Sequence, residues 1–171
     1  MSGSTSLPFF CNLTPSPKHD HLTAVLSKVM PIENQVQNLP DRVSKITKPW
    51  TPQHVLSFNG SHSIKLATLE DDFIWHSHPD TDEVFYCVSG GPFYIDTAES
   101  ESERQGYSTA ELKVGDLLCI PRTIRHRPRA PISTGVALIE KVGTVNTGDE
   151  AGNSAMTAKS KCWTNPTRDT L

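Results

Sequence analysis

The chain has 171 residues, enough for one domain with a substantial core and too few for two full ones. Lys and Arg number 16 against 19 Asp and Glu, so the formal net charge of -3 offers no basic field for nucleic acid or an acidic membrane surface, and a small molecule is the expected partner. The four cysteines form no Cys-x-x-Cys, which excludes a zinc ribbon or a dense disulfide scaffold, and no run of eighteen apolar residues is present to cross a membrane.

Residues 1–24 are rich in Ser, Pro and Thr and read as a flexible N-terminal extension. Within it Leu7 to Cys11 is too short for a signal-peptide core, so a soluble cytoplasmic protein is expected. Leu22, Val25, Leu26, Val29 and Met30 recur at helical spacing until Pro31, and a second short helix is expected near Glu33 to Leu39.

From Val55 the apolar period changes to two. This predicts nine strands: Val55 to Phe58, Ser63 to Leu69, Asp72 to His78, Glu83 to Ser89, Pro92 to Thr97, Thr109 to Val114, Leu117 to Ile120, His126 to Ala130 and Gly135 to Val142. With 13 Pro and 10 Gly punctuating the chain, the pattern is all-β, a sandwich or barrel with a short N-terminal helical segment. The barrel is assigned to residues 25–150 and a C-terminal tail to 151–171.

In Trp75-His76-Ser77-His78 strand alternation puts both histidines on one face. After the turn Pro79 to Asp82, Glu83 resumes a strand and is brought beside them. Two imidazoles and a carboxylate suit a divalent transition metal, whether Zn, Mn, Fe, Ni or Co. His126 is the best candidate for a fourth ligand, because Gly115 to Pro121 supplies a turn, a buried strand and a second turn that deliver it to the same cavity. Asp80 and Asp82 compete with Glu83 for the ligand role but suit the turn, where aspartates bond to nearby N–H groups. Two ordinary strand histidines would also satisfy His-x-His, and a metallo-β-lactamase pattern would need histidine at Thr81. His19, His21, His54 and His62 have no partner at ligand spacing and read as surface residues.

His76-x-His78-x4-Glu83-x6-Gly90 resembles the first motif of the cupins, and Gly115-x5-Pro121 followed by His126 resembles the second. The resemblance covers about residues 42–148, and the flanks Trp75 to Glu83 and Gly143 to Gly148 look like those of small single-domain cupins. It implies a small antiparallel barrel with one metal held by His76, His78, Glu83 and His126. The sequence departs from the motifs at Thr123 and Glu70, where glycine is usual, and at Ala130, where asparagine is common. None of these removes a ligand.

Four protein ligands on a metal of coordination five or six leave room for water, dioxygen or substrate. The expected function is therefore a metal-dependent enzyme on a small organic molecule, with an oxygenase acting on an oxygenated or aromatic compound preferred. The alternatives are an isomerase, cyclase or decarboxylase that does not use dioxygen, and a non-catalytic ligand-binding module. Glu83, His126 and Tyr94 are the candidate catalytic residues, and Trp75, Phe85, Tyr94 and Arg122 the candidate substrate contacts, Arg122 through a bidentate carboxylate pair. Arg125, Arg127 and Arg129 alternate with His126 and are assigned to a solvated outer face. Val84, Tyr86 and Val88 point away from Glu83 and are expected to cover a second sheet or form the apolar face of a homodimer.

Overall fold

The computed structural model describes residues 35–98 and 106–150. The chain divides into two units, Met1–Gln35 and Val36–Leu171, and every strand described below belongs to the second. The N-terminal extension, the helix expected at 22–30 and the C-terminal tail lie outside the described residues.

The second helix, expected near Glu33 to Leu39, is not found over residues 35–38, and a helix starts only at Leu39. α1 is Leu39–Val43: Asn38 caps it by accepting from the Asp41 N–H at 2.9 Å, and Pro40 sits in the first turn, where its missing N–H costs nothing. Among the described residues seven strands follow: β1 (Gln53–Phe58), β2 (His62–Asp72), β3 (Glu83–Ser89), β4 (Phe93–Ala98), β5 (Ser108–Leu112), β6 (Leu117–Ile120) and β7 (Arg125–Lys141). All pairings are antiparallel, in the order β1-β2-β7-β3-β6, with β4 joining both β7 and β5.

β7 is the spine. One edge runs along β2 from Arg129 to Lys141, while the other pairs first with β4 (Arg125 to Arg129) and then with β3 (Gly135 to Ile139). The sequence pattern predicts two strands here, His126 to Ala130 and Gly135 to Val142. The chain instead stays extended through an exposed segment, Pro131 to Ser133, that needs no cover.

The strand expected at Asp72 to His78 is likewise absent. β2 ends at Asp72 after a register shift at Asp71 (φ 59°), and beyond it His76 alone forms a bridge, to His126. The interior is filled by Phe73, Phe85, Phe93, Ile95, Leu112, Ile120, Val136 and Leu138. On the far side of the β1-β2-β7-β3 surface, Val43 and Ile46 cover Val55, Leu66, Val88 and Ala137. The apolar face of β3 that was expected to meet another sheet or subunit is thus partly closed by the chain's own helical segment.

Candidate metal centre

β7 and β3 carry His126 and Glu83 inward on the parity of Ala130 and Phe85, whereas His76 and His78 sit on an irregular segment whose position is imposed by its anchors. The His76 N–H donates to the His126 carbonyl (3.0 Å), the His76 carbonyl accepts from the His126 N–H (2.8 Å), and the His78 carbonyl accepts from Thr123 N–H (2.8 Å). Thr123 stands where the motif carries glycine and adopts φ 71°, a left-handed conformation strained for a β-branched residue.

The four side chains are all buried, and their donor atoms lie within 4.8 Å of one another. Glu83 Oε2 is 3.0 Å from His126 Nε2 and 3.2 Å from His78 Nε2, and the His76 and His126 rings are 4.3 Å apart. In both His76 and His126 the Nδ1 lies 3.0 Å from a carbonyl two residues earlier, Ile74 or Ile124. Donation there places the proton on Nδ1 and leaves Nε2 as a lone pair. Two such imidazoles facing a carboxylate form an all-acceptor cluster, which needs a cation or a proton between its members.

Electrostatics agree with this. Burial, reinforced by His126, lowers the His76 pKa to about 3, so that ring is neutral and ready to coordinate at any physiological pH. Burial opposes ionisation of Glu83, but the His126 and His78 imidazoles beside it outweigh that and hold the carboxyl below its ordinary range. Burial also works against a charged His78, yet Glu83 beside it raises its pKa. His78 Nε2 is nonetheless buried with no hydrogen-bond partner in good geometry among the described residues. Three imidazoles, one carboxylate and this orphaned nitrogen fit a divalent transition metal.

Beside His76 and Glu83 is a cavity of about 30 Å³ lined by Trp50, Phe73, Phe85, Leu138 and Asn146, among others. Phe85 thus lies where a substrate contact was expected. Trp50 stacks on Phe73 at 4.7 Å and anchors its indole N–H on the Glu70 carbonyl at 2.7 Å. A second, wider cleft of about 370 Å³ lies between β5 and β6, which do not pair with each other. Its walls include Thr97 and Ile120, the register partners of His126 and Glu83.

Three expected substrate contacts lie elsewhere. Strand parity turns Tyr94 away from Phe93 and Ile95, and its ring lies 5.4 Å from the Arg129 guanidinium. That position also removes it from the expected catalytic set. Trp75 packs edge-on against Tyr107 at 5.7 Å with Arg127 at 5.2 Å, and Arg122 is exposed, its N–H held by Asp82 at 2.8 Å.

Nor is the arginine face solvated, as its alternation suggested. Asp96, fully buried, accepts from Arg127 (2.8 Å), Arg129 (2.6 Å) and Thr109 (2.7 Å), and although burial opposes its ionisation these bonds lower its pKa. A second polar group escaped the sequence reading. Lys65 and Glu140, 2.6 Å apart, are both buried, and Lys65 also donates to Asn146 Oδ1 at 3.2 Å. The available signal was parity: Lys65 falls in step with Ala67 and Leu69, and Glu140 with Val136 and Leu138.

No family model matches the chain. Among curated proteins, the uncharacterized protein YdbB of Bacillus subtilis (strain 168) is 37% identical over 73 residues, 43% of this chain and 58% of that protein. The match therefore spans less than two thirds of that relative's length. Among solved structures, a cupin-2 domain containing protein from Shewanella frigidimarina NCIMB 400 matches with TM-score 0.53 and 28% identity, over 65% of this chain and 99% of that one. Protein NMB1881 from Neisseria meningitidis gives TM-score 0.54 and 24% identity, over 63% and 99%. With its antiparallel strand order and its inward histidine and glutamate cluster already established, the protein has the cupin fold.

Proposed function

We propose that the protein is a metal-dependent enzyme of small organic molecules, and specifically an oxygenase acting on an oxygenated or aromatic compound. The observation that carries the reading is the buried His76, His78, Glu83 and His126 cluster opening onto an aromatic cavity. These four residues would hold the ion, which when bound supplies Lewis acidity and, if it is iron, redox access to dioxygen. Trp50, Phe73 and Phe85 supply an apolar aromatic wall beside the cluster; the space they enclose, about 30 Å³, holds only a water or two, so a ring-sized substrate would require this wall to open. Asn146, held by Lys65, contributes the polar group that can orient a substrate oxygen.

The test is metal analysis of protein purified without chelators, followed by oxygen uptake with a panel of phenols and dihydroxybenzenes. Stoichiometric iron with substrate-dependent uptake is expected. Zinc or manganese with turnover that persists without oxygen would instead select an isomerase or decarboxylase, and ligand binding without turnover a non-catalytic module.

A further inference from the structure

The histidine pair is held from outside the barrel by a short turn after the last strand. Asp149, in the one-turn 3-10 helix Gly148–Glu150, accepts from Ser77 N–H at 2.7 Å with one carboxylate oxygen and from Ser77 O–H at 2.8 Å with the other. The Asp149 N–H in turn donates to the Ser77 carbonyl at 3.0 Å. All three polar groups of the residue between the two ligands are therefore engaged by a single side chain and its own backbone.

Gly148 makes this approach possible. Its φ is 51°, and a Cβ there would run into the Ser77 carbonyl oxygen and lie 3.3 Å from His78 Nδ1. The Arg125 guanidinium, 3.7 Å from both Asp149 and Glu150, backs the carboxylate, and it also donates to the Trp75 carbonyl at 3.5 Å. With no continuous strand ladder between Phe73 and His78, these contacts add to the isolated backbone bonds of Phe73, His76 and His78 in setting the loop's geometry.

We propose that Asp149, on the Gly148–Glu150 turn, is a positioning residue for the metal centre, setting the placement of the His76 and His78 imidazoles through Ser77. This rests on the metal-binding reading above. The turn supplies no ligand of its own, so its loss changes affinity and ligand field rather than removing a donor.

The experiment titrates Co²⁺ into apoprotein of wild type, Asp149→Ala, Asp149→Asn and Ser77→Ala, recording the visible spectrum and the unfolding temperature of each apo form. Wild type is expected to bind one equivalent. Asp149→Ala should weaken binding about 10 to 100-fold and shift the cobalt bands, while Asp149→Asn, which keeps an acceptor for Ser77 N–H, recovers most of both. Ser77→Ala, losing one of the three bonds, should fall between wild type and Asp149→Ala. Wild-type affinity and spectrum in Asp149→Ala would overturn the proposal, as would weakening that Asp149→Asn fails to restore and that merely parallels a fall in apo stability. Absence of cobalt binding by wild type would overturn the metal reading itself, and the positioning role with it.

Discussion

Glu83 and Glu140 face the same interior from adjacent strands, yet their surroundings shift their acidities in opposite directions. The register that pairs Val84 with Ile139 makes Glu83 and Glu140 the next opposed pair across β3 and β7. Both are almost wholly withdrawn from water, at 4% and 1% exposure. Glu83 meets two imidazole nitrogens within 3.2 Å and ionises readily, whereas burial and the charge on Glu83 push Glu140 up to about 7 despite Lys65 beside it. Burial alone therefore does not decide the state of an interior carboxyl: the nitrogen donors gathered at one point do, and the neighbouring acid carries the penalty.

Removing a ligand breaks this contrast most severely. His126→Ala deletes one imidazole, the one whose Nε2 lies 3.0 Å from Glu83, and metal affinity is expected to fall by more than about 100-fold, beyond the range for supporting residues. Titration monitored by competition with a metallochromic chelator measures it, and wild-type affinity in this variant would refute the assigned centre.

Lys65→Met attacks the other carboxyl. It leaves Glu140 in the interior without its cation, at a cost of about 3 kcal/mol moderated by proton uptake, while metal stoichiometry is retained. Urea unfolding reads the first quantity and metal analysis the second.

Asp96→Asn gives an external comparison on the same β7 spine. The half-buried Arg127 and Arg129 lose their shared carboxylate, and a destabilisation of about 2 kcal/mol is expected with metal binding unchanged.

Thr123→Gly relieves a strained φ next to the His78 anchor and should stabilise by about 1 kcal/mol, provided the Thr123 N–H bond to His78 persists. Equal or lower stability by thermal unfolding would show that the threonine side chain offsets the strain.

The subtlest difference is one of pH. Because folding raises the Glu140 pKa from 4.5 to about 7, the folded state holds a proton that the unfolded chain releases between those values. This group's contribution is fully present below the lower value and is lost as pH rises towards the upper one. Glu140→Gln removes it, so subtracting the variant's stability from the wild type's should give a curve that falls over that interval. A flat difference would show that Glu140 ionises normally. His76, with its depressed pKa, acts in the opposite sense over 3 to 6.5 and cancels in the subtraction if its surroundings are unchanged.

Much of this architecture was legible in the residue order. Period-two alternation located β3 and β6 to the residue, and His-x-His, Glu83 and His126 identified the four members of the cluster. Those signals are local or motif-sized, since strand parity and donor chemistry depend on neighbours a few residues apart. The rest depended on contacts between distant segments. Asp96 and the arginines, Lys65 and Glu140, and Asp149 and Ser77 are brought together by strand order and by the path of the final turn. Tyr94, Trp75 and Arg122 were assigned to the cavity from their residue types, and the tertiary structure sets Tyr94 and Trp75 against arginines and Arg122 in solvent. An amino-acid pattern specifies which side of a strand a residue occupies; only the assembled sheet decides what lies opposite that side, and hence whether an aromatic ring meets a cavity or a guanidinium.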